Sequence, residues 1–198
     1  MTDLSPDEIA QLRELLDKQK IMEGIHRYAR ATDRADTELF KSTFWEEGAF
    51  DGGPAEGLVH ESAREMLEVE VPKRFTHSHH LFGNIQIRIE GRRAHVESYA
   101  IAYHRTPPTM EGIGELIGDT RFRDGGGRAD QPHDMVMGLR YVDLWEKRGD
   151  EWRMLKRRLV SDWTTSGPST TIIGEGIMRH LRWHGARGAA DPSNTPFD

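Results

Sequence analysis

The sequence contains no cysteine among its 198 residues. This absence excludes disulfides, thiol nucleophiles, iron–sulfur clusters and thiolate zinc sites. A chain of this length can bury a sizeable core without such cross-links, so we expect one main domain. Any catalysis by this protein therefore falls to His, Asp, Glu, Tyr and Arg side chains.

The sequence also lacks a long apolar run and an excess of positive charge. No segment approaches the roughly 20 apolar residues of a membrane span, and the first residues are polar and acidic. We therefore expect a cytoplasmic protein without membrane contact. Its net charge of −6 disfavours nucleic acid as a partner. The adjacent Lys156, Arg157 and Arg158 would alternate between the faces of a strand, and we interpret them as a solvated strand end.

A long helix is predicted at the N-terminus. Ser5 and Glu8 have the spacing of a capping box, and Pro6 suits the first helical position. The apolar positions Met22, Ile25 and Ala29 follow at helical spacing, and the same spacing leads to Asp33. The pattern therefore places a carboxylate on the core-facing stripe of the helix.

The remainder of the chain changes from helical to strand-like texture. Asp36 is a candidate cap for a second helix, a weaker helix is predicted over 63–69, and 51–57 is predicted as a loop. Alternating isoleucines at 85–89 and the segment 94–105 predict one hairpin, and 135–147 with 152–163 predict a second. We expect a long mobile loop over 106–134, including the three glycines at 125–127.

Helices followed by strands are typical of an α+β fold, in which N-terminal helices cover one curved, mainly antiparallel sheet. We expect this domain to span 1–166. Residues 167–198 are expected to form a C-terminal extension that is partly helical, over 172–181, or disordered, with a frayed end from Asp191 onward.

Asp33 is the first candidate for chemistry. A buried carboxylate costs several kcal/mol unless a cation or hydrogen-bond donor lies nearby. The alternative is that Asp33 belongs to a turn and caps the second helix, although Asp36 suits that role better.

A second candidate is the cluster of His77, His79 and His80. In a strand His77 and His79 share one face and His80 takes the other, so the three cannot bind one metal as a simple triplet. A paired-histidine metal site would need an acid a few residues later, where Gly83 and Asn84 stand instead. We therefore favour an exposed pair with one buried functional histidine and expect no metal, while a purely structural cluster stays open.

The strand over 94–105 carries two further histidines. His95 and His104 are separated by an odd number of residues, so only one can face the interior. Tyr99 and Tyr103 share the face of His95. Arg140 lies in an apolar strand, where it would bind an anionic group if it faced inward and would be a surface charge if it faced outward.

Four segments together resemble the SnoaL-like proteins of the nuclear-transport-factor-2-like superfamily: YARATDRAD at 28–36, HLFGN at 80–84, SYAIAYHR at 98–105 and LRYVD at 139–143. The resemblance covers about residues 10–165 and implies a cone-shaped α+β barrel. Members with similar motifs include scytalone dehydratase, bile acid 7α-dehydratase and hexachlorocyclohexane dehydrochlorinase, which are lyases without cofactors.

The resemblance implies catalytic roles for four residues. Asp33 and His80 match a dyad that acts as general base, Tyr28 a tyrosine that assists at a carbonyl or leaving group, and His104 a second histidine. Arg140 matches a substrate-binding arginine, and Tyr99 and Trp45 are further candidates for substrate binding. The expected substrate is a small, largely apolar ring compound, with no cofactor, and a homo-oligomer such as a trimer is expected.

Other functions stay open at this point. An isomerase or polyketide cyclase would use the same base, and fold alone does not choose between these reactions. A non-catalytic ligand-binding protein or the small subunit of a dioxygenase is the alternative from another class.

Overall fold

A computed structural model of the chain describes residues 4–52, 56–124, 128 and 130–195. The helices are α1 (Pro6–Arg34), α2 (Thr37–Ser42), α3 (Val59–Arg64), α4 (Val71–Arg74), α5 (Met110–Ile117) and α6 (Asp119–Asp124), with a π-helical segment at Glu65–Glu70 between α3 and α4. The strands are β1 (Phe44–Phe50), β2 (Gly57–Leu58), β3 (His77–Glu90), β4 (Arg93–Arg105), β5 (His133–Arg148) and β6 (Glu151–Pro168).

Within the described residues the strands form one six-stranded sheet in the order β2-β1-β6-β5-β4-β3. Every pairing is antiparallel except that of β1 with β6. The predicted α+β class is confirmed, and so are both predicted hairpins. The sheet is curved but open, with β2 and β3 at its edges, so the expected barrel is not closed.

The helix α1 begins and ends as its sequence indicates. Ser5 and Glu8 form the capping box, and Ala35 ends the helix in the left-handed conformation with φ of 52°. The buried face includes Ile25 and Asp33 as predicted, whereas Met22 and Ala29 are only half-buried at its border. Asp36 caps α2 by accepting a hydrogen bond from the backbone of Leu39.

The close approach of α1 to the sheet requires a glycine. A Cβ atom on Gly24 would lie 2.6 Å from the ring of Trp145, a fully buried side chain of β5. Glycine inside a helix ordinarily costs up to about 1 kcal/mol relative to alanine. The contact with Trp145 explains why this position has no side chain.

A bulge in β3 changes which residues face the interior. The pairing with β4 shifts between Gly83 and Gln86, and Asn84 adopts a positive φ of 48°. An extra residue in one strand reverses the alternation of faces beyond it. His80 before the bulge and Ile87 after it therefore point to the same side, although their numbers differ in parity.

Two predictions for the irregular regions differ from the structure. The loop expected over 106–134 contains α5 and α6, whose Ile113 and Phe122 are buried, and residues 125–127 lie outside the described part. The helix expected over 172–181 is reduced to a 3-10 turn at Gly176–His180. Asp191 is buried and caps the 3-10 turn Pro192–Asn194, so this end of the described chain is packed rather than frayed.

No helix among the residues that the structure describes is both long and apolar enough to cross a membrane.

Candidate functional site

The last turn of α1 and the beginning of β3 bring Asp33 and His80 into direct contact. Oδ1 of Asp33 lies 2.7 Å from Nδ1 of His80, and Oδ2 accepts a hydrogen bond of 2.9 Å from the His80 backbone N–H. Both side chains are at most 8% exposed. The carboxylate thus fixes the ring orientation, and an Nδ1–H donated to Asp33 leaves Nε2 as the acceptor.

The electrostatics of this pair favour an ionised Asp33. Burial opposes ionisation and would raise the pKa of Asp33, but the hydrogen bonds and charge of His80 outweigh it and hold that pKa below its ordinary value. An ionised, buried carboxylate thus faces Nδ1 of His80, which is the arrangement in which an acid orients a histidine base.

His104, from β4, is the next side chain on the same face of the sheet. Its ring centre lies 5.3 Å from that of His80 in an edge-to-face contact, and the ring stacks on Phe75 at 4.2 Å. Burial, together with the charge of His80, lowers the pKa of His104 to about 3. Nδ1 of His104 has no hydrogen-bond partner in the described part of the chain, so a neutral imidazole with an unused nitrogen stands beside the dyad.

Tyr28 lies one to two turns before Asp33 on the buried face of α1. Its ring packs edge-on against Phe82 at 6.3 Å and Tyr141 at 5.9 Å. Burial raises the pKa of Tyr28, and the nearby Arg157 partly opposes that rise. The hydroxyl is therefore protonated at neutral pH and can act as a hydrogen-bond donor.

A buried ion pair between β5 and β6 lies in the same interior, and the sequence analysis did not predict it. Arg157 donates from Nε and Nη2 to the two oxygens of Asp143, at 2.9 Å and 2.6 Å. Its guanidinium centre lies 4.0 Å from the ring centre of Tyr28 and 4.5 Å from that of Tyr141. Nη1 is buried and finds no acceptor among the described residues. A donor in that situation suits an oxygen atom of a bound molecule.

The interpretation of 156–158 as a solvated strand end is wrong for Arg157, which is fully buried. Because side chains alternate along a strand, Arg157 has to face away from its two basic neighbours. Asp143 on the inward face of the paired strand was the feature of the sequence that could have indicated its partner.

His133 is a further interior residue that the sequence did not indicate. It lies at the start of β5, is fully buried, and contacts Phe122 of α6 with ring centres 5.8 Å apart. Neither of its ring nitrogens has a partner in the part of the chain that the structure describes. His133 and His104 are diagonal neighbours on one face of adjacent strands, which places them within about 8 Å.

Comparison with known proteins agrees with this architecture. A family model described as the SnoaL-like domain matches residues 13–158. The chain belongs to the SnoaL-like domain family. No curated protein is similar enough in sequence to count as a match.

Solved structures share the fold of this SnoaL-like protein at low sequence identity. A candidate scytalone dehydratase from Novosphingobium aromaticivorans superposes with a TM-score of 0.58 at 19% identity, covering 81% of this chain and 97% of its own. A hexachlorocyclohexane dehydrochlorinase from Novosphingobium barchaimii gives 0.63 at 13%, covering 82% and 96%. A Nostoc punctiforme protein of unknown function with a cystatin-like fold gives 0.53 at 20%, covering 74% and 92%.

Three candidate substrate-binding residues of the SnoaL-like chain lie away from the dyad. Arg140 is on the outer face of β5, where it pairs with Asp162 at 2.9 Å, because the inward positions of this strand are the odd-numbered ones. Tyr99 is exposed on the outer face of β4. Trp45 donates to the carbonyl of Glu146 and stacks beneath surface arginines.

The other histidines considered in the sequence point outward. His77, His79 and His95 are exposed, as expected for the face opposite His80 and His104. Among the described residues no group of three His, Asp or Glu side chains is arranged to hold a metal ion.

Proposed function

We propose that this SnoaL-like protein is a cofactor-independent lyase that eliminates water or a similar leaving group from a small, largely apolar ring substrate. The observation that supports this proposal best is the 2.7 Å contact between the buried Asp33 carboxylate and Nδ1 of His80. A base oriented in this way removes a proton from carbon without a metal or an organic cofactor.

In the proposed reaction Nε2 of His80 takes a proton from the carbon next to a carbonyl or other activating group. The electron pair forms the new double bond, and the leaving group departs from the neighbouring carbon. Tyr28 or His104 donates the hydrogen bond that assists the departure, and the proton taken by His80 ends on the leaving group or in water.

Arg157 is proposed to stabilise the negative charge that develops on the substrate oxygen. Its guanidinium centre lies over the ring of Tyr28 in the aromatic interior, Nη1 has no acceptor among the described residues, and Asp143 holds the guanidinium in place. A preorganised donor in a dry site stabilises a developing oxyanion strongly.

The fold neighbours include a dehydrochlorinase, and elimination of hydrogen chloride also begins with removal of a proton from carbon. An isomerase or cyclase is the second candidate, favoured by the neutral His104 beside the dyad, because an imidazole there can return a proton to another atom. Product analysis separates these reactions.

The test is a turnover assay with β-hydroxy ketones built on one or two fused rings, in buffer containing EDTA and no cofactor. Elimination produces a conjugated enone, which is followed by ultraviolet absorbance. We expect His80→Ala and Asp33→Asn to lower turnover by about 10²- to 10⁴-fold while the far-ultraviolet circular dichroism stays unchanged.

Asp36→Asn is the matched control for Asp33→Asn. Asp36 undergoes the same chemical change three residues away, and asparagine caps α2 as well as aspartate does, so full activity is expected. Near-normal turnover in either dyad variant would contradict the proposal.

A further inference from the structure

A C-terminal segment outside the family match is docked on the elements that carry the dyad. The SnoaL-like match ends at residue 158, whereas the segment 185–195 contacts α1 and the start of β3. Asp191 pairs with Arg34 at 3.3 Å, and Arg30 donates to the side chains of Ser193 and Asn194 at 2.9 Å and 2.8 Å. These contacts fix the segment to the last turns of the helix that ends beside Asp33.

Arg187 is the residue of this segment that enters the structure most deeply. Nη1 donates to the Phe75 carbonyl at 2.7 Å, and Nη2 donates to Oγ of Ser78 at 3.0 Å. Ser78 lies two residues before His80 and faces the same side of β3. The guanidinium therefore secures the stretch of strand from which His80 reaches Asp33.

Arg187 also borders the dyad through a cavity. A cavity of about 260 Å³ lies between the C-terminal segment and the start of β3, and its walls include Asp33, Ser78 and Arg187. The described residues provide no carboxylate in a salt bridge with Arg187, and its Nε is buried without a partner. The positive charge of a half-buried guanidinium that has no salt-bridge partner needs a negative charge nearby. The carboxylate of Asp33, on the wall of the same cavity, supplies it.

We propose that Arg187 is a positioning residue for the Asp33–His80 pair, supplied by the C-terminal segment: it holds the start of β3 and places a positive charge behind the carboxylate. This inference concerns the same site as the proposed function, but it does not depend on which reaction the site performs.

The charges around Arg187 agree with this role. Burial lowers the pKa of Arg187, the charge of Asp33 opposes that lowering, and Arg34 adds to it. Burial is the largest cause of the lowered pKa of His77 on β3 and of His104 on β4, and the positive charge of Arg187 lowers both pKa values further. Arg34 is itself compensated by Asp191.

The expected consequence is a shift in the titration of the dyad. Removing the positive charge favours the protonated form of the Asp33–His80 pair, so its apparent midpoint rises in Arg187→Gln, by about half a pH unit or more. Arg187→Lys keeps the charge but not the forked contacts with Phe75 and Ser78, and we expect a smaller rise.

The measurement is a pH titration of the histidine side chains of the full chain by heteronuclear NMR, which needs no substrate. Arg182→Gln is the matched control, because Arg182 is exposed in the same C-terminal region and its loss removes the same charge. We expect the dyad midpoint in this control to equal that of the wild type.

The dyad midpoint of the Arg187 variants decides the inference. A folded Arg187→Gln variant whose dyad midpoint equals that of the wild type would overturn the inference, and if that variant does not fold, an unchanged midpoint in Arg187→Met, which also removes the charge, would do so. A shift in the midpoint together with normal turnover in His80→Ala would contradict the lyase proposal and leave the role of Arg187 intact.

Discussion

His104 shows how the interior changes the chemistry of a single residue. Its pKa falls from the ordinary 6.5 to about 3, because burial disfavours the charged ring. Between these values the unfolded chain binds a proton that the folded chain does not bind. Folding stability contributed by this group is therefore complete above about pH 6.5 and is lost as pH falls toward 3.

We expect the free energy of unfolding of the wild type to fall between pH 6.5 and 4, with a contribution from His104 of about 1.4 kcal/mol per pH unit. His104→Gln should remove that contribution and flatten the profile, as measured by urea unfolding at several pH values. His95→Gln is the control, since His95 is exposed on the opposite face of β4. Parallel profiles for the wild type and His104→Gln would contradict a buried neutral imidazole.

At the scale of secondary-structure elements, the pair Asp143–Arg157 connects β5 and β6 inside the core. Both side chains are fully buried, so loss of one partner leaves an uncompensated charge away from water. Asp143→Asn is expected to lower the free energy of unfolding by about 3 to 5 kcal/mol, as measured by urea unfolding at neutral pH.

The exposed pair Asp51–Arg158 supplies the control for that variant. Arg158 follows Arg157 but faces solvent, and its pairing with Asp51 is largely exposed. Asp51→Asn should therefore change stability by less than about 1 kcal/mol. A similarly small loss in Asp143→Asn would show that Arg157 does not depend on this carboxylate.

At the scale of the whole molecule, the outer face of the sheet carries an exposed apolar patch beside its charged residues. Leu81, Tyr99, Ile101 and Trp163 are each more than 40% exposed there and border a cavity of about 410 Å³. Contiguous exposed apolar surface of this kind is typical of an interface. We propose that a second copy of the chain covers it, in keeping with the expected homo-oligomer.

Light scattering during size-exclusion chromatography tests this proposal. The wild type should elute as an oligomer, and Ile101→Glu should shift it toward the monomer because a buried unpaired charge is costly. Ile177→Glu, at an exposed position of the C-terminal region, should leave the assembly unchanged. A monomeric wild type would refute the proposal.

The first two helices and both hairpins of this chain were predictable because their signals are local. The capping box of Ser5 and Glu8, the cap at Asp36 and the alternating isoleucines each act within a few residues of sequence. The helix α6 was missed because Phe122 is its only apolar residue, and tertiary contacts bury that ring. In α5 the glycines at 112 and 114 obscured apolar residues at helical spacing, which include Ile113 and Ile117.

The inward position of Asp33 and the opposite faces of His80 and His77 were determined by the sequence, through the periods of helix and strand. Only the tertiary structure decided which side of the sheet is the interior, and with it the placement of Arg157 inside and Arg140 outside. Periodicity states which residues share a face, but the choice between faces depends on where the helices pack, and a single bulge reverses the alternation. Likewise, only the fold could bring Arg187 from the C-terminal segment to a dyad that lies more than 100 residues earlier in the chain.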